Sequence, residues 1–260
     1  MTKTQIAWAT HVWNPVTGCT PAGDGCNNCY AKRVAETRLR GRCGYPADEP
    51  FRVTMHPDRM EDPLHLRKPA RIFVCSMGDL FHDDVPGEFV ARVFDVMRRC
   101  PQHQFICLTK RPQRMFDTVN IGNLPTPHMA SYLANLWLGV SVWNQESAER
   151  FIPPLLDTPA AVRFASYEPA LGPVDFTKLR TGDSTTPWLP ALGKLDWIIA
   201  GGEAGPNARE CNRSWLTTAW KQSCVHGVPF FFKSWGDNST RNHESCGAEA
   251  ATENSVNFQG

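Results

Sequence analysis

Residues 71–109, RIFVCSMGDLFHDDVPGEFVARVFDVMRRCPQHQFICLT, contain the clearest fold signal in the chain. Two apolar runs, 71–76 and 103–109, flank an amphipathic stretch at 86–100. The runs are almost continuously apolar, which is typical of strands buried on both faces of a parallel sheet. The stretch between them begins near a proline and ends in two arginines, as helices favour. Residues 71–109 therefore predict a β-α-β unit.

The same pattern recurs along the chain. Further apolar runs lie at 11–18, 136–142, 161–167, 195–202 and 228–235. Helical patterns lie at 30–41 and 212–227, and a third begins near Gln145 but is expected to break at Pro153 and Pro154. This alternation predicts an α/β protein with parallel strands, in a partial or full (β/α) TIM-type barrel. An open doubly wound sheet is the alternative.

The domain plan and the cell compartment follow from composition. Hydrophobic residues make up 42% of the 260 residues, charged residues 20%, and the net charge is +1, as in a globular protein. Residues 1–237 are expected to form one barrel domain and 238–260 a polar tail, either disordered or left over from cloning.

No signal peptide or membrane span is evident, which predicts a cytoplasmic protein with no membrane partner. Ten cysteines in that compartment favour thiols or metal ligands over disulfides.

The stretch TGCTPAGDGCNNCYAKR (17–33) places Cys19, Cys26 and Cys29 on one loop after the first predicted strand. Three interpretations remain open. The cysteines are ordinary thiols, they bind zinc with Cys43 or His11 as the fourth ligand, or they hold a cluster whose fourth metal position stays open. The loop lies at the carboxyl end of a strand, where parallel α/β folds place their active sites, and this position favours the third interpretation.

This loop resembles that of the radical S-adenosylmethionine (radical SAM) superfamily. In that superfamily three cysteines bind a [4Fe–4S] cluster and SAM chelates the fourth iron. One-electron reduction then cleaves SAM to a 5′-deoxyadenosyl radical that abstracts hydrogen from a substrate. The usual spacing is C-x3-C-x2-C with an aromatic residue before the last cysteine. Here the first gap is six residues and Tyr30 follows the last cysteine.

The rest of the chain is similar to a narrower, bacteriophage-associated, radical-SAM-like family over about residues 5–236. The motifs that carry this resemblance are WNPVTGC, CNNCYA, FVCSMGDLFHDDVP, LTKRPQRM, LGVSVWNQ, RFASYEPALGPV, WIIAGGEAGPNAR and PFFFKSWG. The resemblance implies a small-molecule or nucleotide substrate, including DNA bases, which would be isomerised or otherwise modified. It also implies an electron donor such as flavodoxin or ferredoxin and, for a phage-encoded protein, the host cytoplasm.

The resemblance also implies roles for individual residues. Cys19, Cys26 and Cys29 would be the cluster ligands, and Tyr30, beside Cys29, would border the cofactors. The turn Ser76, Gly78 and Asp79 would bind the SAM amino group, Lys110 or Arg111 its carboxylate, and Ser141 its ribose. Gly201, Gly202 and Glu203 would lie against the adenosyl group. Catalytic or substrate-side candidates are Lys110, Glu168, Arg209, Lys233 and Trp235.

Two alternatives come from other functional classes. The segment DLFHDD carries metal-ligand residue types in Asp79, His82, Asp83 and Asp84, which would suit a mononuclear metal hydrolase. A zinc-stabilised, non-catalytic barrel that binds nucleic acid or a phage partner is the second alternative.

Overall fold

The structure is a computed structural model that describes residues 1–120, 133–180 and 188–240. These ranges contain fourteen strands. In chain order they are β1 (Thr2–Lys3), β2 (His11–Trp13), β3 (Val16–Thr17), β4 (Thr54–Met55), β5 (Arg71–Val74), β6 (Gln104–Thr109), β7 (Leu136–Val142), β8 (Val162–Tyr167), β9 (Leu179–Arg180), β10 (Trp188–Leu189), β11 (Trp197–Gly201), β12 (Cys211–Asn212), β13 (Phe230–Ser234) and β14 (Ser239–Thr240).

Eight of the strands form one mostly parallel sheet, in the order β1-β2-β5-β6-β7-β8-β11-β13. The α/β class and all seven strands expected from the apolar runs are confirmed. The strand order follows the chain without a reversal, so the doubly wound alternative is wrong, because that fold reverses its strand order at a switch point. Within the described ranges β1 and β13 are sheet edges, so a closed barrel is not shown. The remaining strands pair two by two as β3–β4, β9–β10 and β12–β14.

Five α-helices accompany the strands in the described part of the chain: α1 (Tyr30–Val34), α2 (Gly87–Arg99), α3 (Pro112–Asn120), α4 (Gln145–Leu156) and α5 (Arg213–His226). A π-helical turn, Ala35–Leu39, continues α1. The caps of α5 are those that its sequence predicts. The Asn212 side chain accepts a hydrogen bond from the Ser214 backbone N–H, and Gly227 ends the helix in the left-handed conformation.

Helix α4 differs from its prediction. It continues through Pro153 and Pro154 and ends at Leu156. Both prolines lie in its last turn, and they leave the carbonyls of Glu149 and Arg150, four residues earlier, without helical N–H partners. The apolar side chains Phe151, Ile152 and Leu155 are buried, and this packing favours the continued helix.

The chain divides into two compact units. The first comprises residues 1–139 with 157–162, and the second comprises 140–156 with 163–260. The first unit contains the cysteine loop, β5 and β6, and the second contains β8, β11 and β13. Strand β14 lies beyond the expected domain end at 237, and residues 241–260 of the expected tail lie outside the described residues. No helix in the described ranges is long and apolar enough to cross a membrane.

Candidate functional site

The backbone at the start of the cysteine loop is held tightly. Gly18 has a φ of +82°, and a Cβ at this position would lie 2.1 Å from the carbonyl oxygen of Arg52. Its N–H donates to the carbonyl of Met77 (2.9 Å), and the Cys19 N–H donates to that of Phe51 (3.1 Å). Only glycine fits this conformation and this close approach. The position of Cys19 is therefore fixed by backbone hydrogen bonds of its own N–H and of the Gly18 N–H.

The turn after β5 packs directly against this loop. The Asn14 side-chain oxygen accepts hydrogen bonds from the Ser76 hydroxyl (3.2 Å) and the Met77 N–H (3.0 Å). A Cβ on Gly78 would lie 2.9 Å from the carbonyl oxygen of Gly18. Ser76 and Gly78, predicted to bind SAM, thus have structural contacts of their own. The sequence did not indicate the role of Asn14.

Asp79 is a buried carboxylate at the centre of the first unit's site. It accepts hydrogen bonds from the Thr109 hydroxyl (2.8 and 2.9 Å) and the Phe81 N–H (3.0 Å). The Lys110 N–H (3.4 Å) and the Arg111 guanidinium (3.1 Å) also donate to it. These donors already engage both carboxylate oxygens. Asp79 therefore positions Arg111, and accepting the SAM ammonium, as predicted, would require displacing a bond.

Arg111 connects Asp79 to the cysteine loop. Its Nη1 donates to the Cys19 sulfur (3.2 Å), while Nη2 donates to both the carbonyl and the hydroxyl of Thr20 (2.9 Å each). The side chain is only 12% exposed, so water screens these interactions weakly. Strands β2, β5 and β6 are parallel neighbours, and this is why residues after their carboxyl ends meet here.

His82, from the DLFHDD segment, also binds the cysteine loop. Its Nε2 lies 2.8 Å from the Thr20 hydroxyl, and its Nδ1 accepts a hydrogen bond from the Asp84 N–H (3.1 Å). This pattern assigns the proton to Nε2 of a neutral ring. Burial first, and then the charge of Arg111, lower the pKa of His82. The segment thus holds the loop, and within the described residues it contains no group of side chains placed to hold a metal ion.

Tyr30 begins α1, directly after the last cysteine of the loop. Its hydroxyl donates to the Ser76 carbonyl, which fixes the helix against the turn after β5. The residue is 48% exposed. Tyr30 directly follows Cys29 in the sequence, and its role toward a cofactor stays a prediction.

In the second unit, Glu168 and Lys233 form an ion pair between the ends of β8 and β13. The Ser141 hydroxyl donates to the Glu168 backbone carbonyl (2.9 Å) and is buried. Lys233 is 44% exposed in its side chain and keeps access to solvent. The structure brings these three predicted residues together, with Ser141 bound to the backbone of Glu168.

The turn after β11 packs against the turn after β13. A Cβ on Gly202 would lie 2.1 Å from the Trp235 carbonyl oxygen, and a Cβ on Gly201 would lie 3.3 Å from that of Ser234. The missing side chains of both glycines therefore allow the backbone after β13 to approach closely. Glu203 is buried and accepts from Arg209 at Nε (2.9 Å) and Nη2 (2.5 Å), so this predicted ribose ligand is engaged in a bidentate ion pair.

A family model matches residues 3–257, nearly the whole chain, and its description is "Protein of unknown function (DUF5131)". The chain belongs to this family. No curated protein and no solved structure matches the chain. Because the family description names neither a cofactor nor a reaction, the radical SAM resemblance stays a prediction.

The three loop cysteines have surroundings that bear on whether they could hold an iron–sulfur cluster. Cys19 accepts from Arg111, Cys26 accepts from the Ala22 N–H (3.4 Å), and Cys29 precedes α1. N–H donors to sulfur are a regular feature of cluster sites, so the donor set fits. In the described residues no three Cys, His, Asp or Glu side chains are grouped to hold a metal ion, so binding would require the loop to close.

The Cys19 thiol is protonated at neutral pH in this environment. Burial first, and then the Asp79 carboxylate, raise its pKa to about 11, although Arg111 acts in the opposite direction. Metal binding at this sulfur would therefore release a proton.

Gly202→Ala is expected to lower the free energy of unfolding by about 3 kcal/mol, because the new Cβ meets a backbone carbonyl that cannot move independently. Gly193→Ala is the matched control. Its Cβ would meet nothing within 4 Å, and it should change stability by less than about 1 kcal/mol. Urea unfolding of both variants measures the difference. Equal stabilities would show that the two turns do not pack as described.

Proposed function

We propose that this protein is a radical SAM-type enzyme that uses Cys19, Cys26 and Cys29 to hold a [4Fe–4S] cluster. One observation carries the proposal. Three thiols lie on one loop at the carboxyl end of the first strands of a sequentially ordered parallel sheet, and N–H donors point at two of the sulfurs. When bound, the cluster supplies the electron that cleaves SAM and generates the 5′-deoxyadenosyl radical.

The residues around the loop would serve this chemistry by positioning it. Arg111 and the Ala22 N–H donate to sulfur and favour the thiolate form that a metal requires. Asp79 orients Arg111, and His82 fixes Thr20 beside the first ligand. Lys110 keeps its proposed role toward the SAM carboxylate, because its backbone is held by Asp79 and its side chain supplies a cation.

The remaining predictions belong to this proposal. Glu168 and Lys233 are the proposed catalytic residues toward the substrate, which is a small molecule or a nucleotide. Flavodoxin or ferredoxin would donate electrons in the cytoplasm. The open, sequentially ordered sheet is compatible with a partial (β/α) barrel.

The test is an anaerobic reconstitution with iron and sulfide, followed by SAM and dithionite. The proposal predicts that 5′-deoxyadenosine and methionine form in equal amounts, because reductive cleavage splits one SAM into both. Cys29→Ser should form neither product. A wild-type protein that binds its full complement of iron and still yields no 5′-deoxyadenosine would contradict the reaction, although not the cluster.

A further inference from the structure

An exposed basic face follows directly after the cysteine loop. Helix α1 and the π-helical turn bury Ala31 and Ala35 on one side and leave charged residues on the other. Residues 30–42 carry five cations and one anion, Glu36, whereas the whole chain has a net charge of only +1. All five cations are exposed: Lys32, Arg33, Arg38, Arg40 and Arg42.

The same short helical segment carries an aromatic ring beside one of these cations and close in the chain to the others. Tyr30 and Arg33 are three positions apart, so they are neighbours on the surface of α1. Arg38 lies in the π-helical turn that directly continues α1, and its side chain is exposed like that of Arg33. Tyr30 is half-exposed, and its ring is held in place by the hydrogen bond from its hydroxyl to Ser76. This exposed segment thus presents a fixed aromatic ring close to guanidinium groups.

Few carboxylates neutralise this face. Glu36 lies 4.0 Å from Lys32, and Asp48 pairs with Arg52 at 3.2 Å. Arg40 donates to the backbone carbonyl of Ala47 (2.8 Å), which leaves its charge uncompensated. In the described part of the chain no ion pair involves Arg33, Arg38 or Arg42. A partner of the opposite charge therefore finds cations that are not already paired.

We propose that this face, Tyr30 with Lys32, Arg33, Arg38, Arg40 and Arg42, binds a single-stranded nucleic acid. Guanidinium groups bind phosphates, and an exposed aromatic ring stacks on an unpaired base, which is how proteins bind single strands without reading their sequence. The first residue of this face, Tyr30, directly follows Cys29, so a nucleic acid bound here would lie next to the cysteine loop. That the strand is the substrate rests on the proposed function, whereas the binding itself does not.

The test uses a fluorescein-labelled single strand of about 20 nucleotides of mixed sequence, as DNA and as RNA, with anisotropy read over a series of salt concentrations. The triple variant Arg33→Gln, Arg38→Gln, Arg42→Gln should bind at least about tenfold more weakly. Its slope of log K against log salt should fall by about 2, since each phosphate contact to a single strand contributes about 0.7.

A matched control removes the same charge elsewhere in the first unit. Arg92, Arg98 and Arg99 are exposed on α2, and their triple change to Gln should leave affinity within about twofold of the wild type. The aromatic contribution is tested separately. Tyr30→Phe keeps the stacking ring but loses the bond to Ser76, so its affinity should fall by no more than about threefold, while Tyr30→Leu should weaken binding about tenfold with an unchanged salt slope.

Three results would overturn the assignment. They are an absence of wild-type binding at the lowest salt, an equal loss in the two triple variants, and competition by duplex DNA or polyglutamate as effective as that by the single strand. The assay contains no SAM and no reductant. Its outcome is therefore independent of the reconstitution test, and either proposal can fail without the other.

Discussion

Cys19→Ser is expected to reduce bound iron from about four atoms per chain to less than one after anaerobic reconstitution. The reason is the number of ligands. With only three thiols on the loop, loss of one leaves two protein bonds to hold the cluster. The first ligand is also held by its surroundings, through Gly18 and Arg111. Iron and acid-labile sulfide assays on the purified protein give the measurement.

Cys43→Ser is the matched control for that result. Cys43 is also a free cysteine, but it is exposed and lies outside the loop. Its backbone has a positive φ. Its replacement should leave iron content unchanged. Iron loss on replacing Cys43, or iron retained on replacing Cys19, would contradict the ligand assignment. The first of these results would instead favour the four-ligand interpretation that includes Cys43.

Arg111→Met is expected to lower the free energy of unfolding by about 3–5 kcal/mol, because it leaves the buried Asp79 carboxylate without its charged partner. The double variant Asp79→Asn, Arg111→Met should recover a substantial part of this loss, since it removes the unpaired charge together with the cation. Urea unfolding of the two variants and of the wild type measures both differences.

Arg114→Met controls for the loss of an arginine from the same region. Arg114 lies on α3 and is partly exposed; it contacts exposed Asp83 at 4.0 Å and donates to the Val85 carbonyl (3.2 Å), so its loss should cost about 1 kcal/mol. A similar small effect for Arg111→Met would show that Asp79 does not depend on it. A double variant as unstable as the single one would show that the cost comes from lost packing rather than from charge.

The sequence predicted the sheet well because its strands are continuous apolar runs, a signal that does not depend on distant partners. The runs that became β5, β6, β7 and β11 are examples. Helix α4 was predicted less well, because the effect of Pro153 and Pro154 depends on tertiary packing. Helix α3 had no separate prediction, since its nine residues follow the strand-end polar residues almost without a break.

The site was predictable in position but not in its pairings. Strand-end placement predicted that Cys19, Asp79 and Arg111 lie at the same edge of the sheet, and Arg111 contacts both of the others. Asp79 is occupied by the chain's own donors, and Glu203 is paired with Arg209. Local sequence could not predict this, because it does not show whether a carboxylate binds a ligand or an arginine of the same chain. The same limit applies to Gly202. A glycine there could make room either for a bound adenosine or for a nearby backbone segment, and the sequence does not distinguish the two.

The most direct test of the central proposal is the metal content and visible spectrum of anaerobically purified wild-type protein. We expect a brown protein with about four irons and four sulfides per chain and broad absorption near ~400 nm. A colourless protein that contains one zinc and no iron would contradict it and would favour a zinc-stabilised, non-catalytic fold.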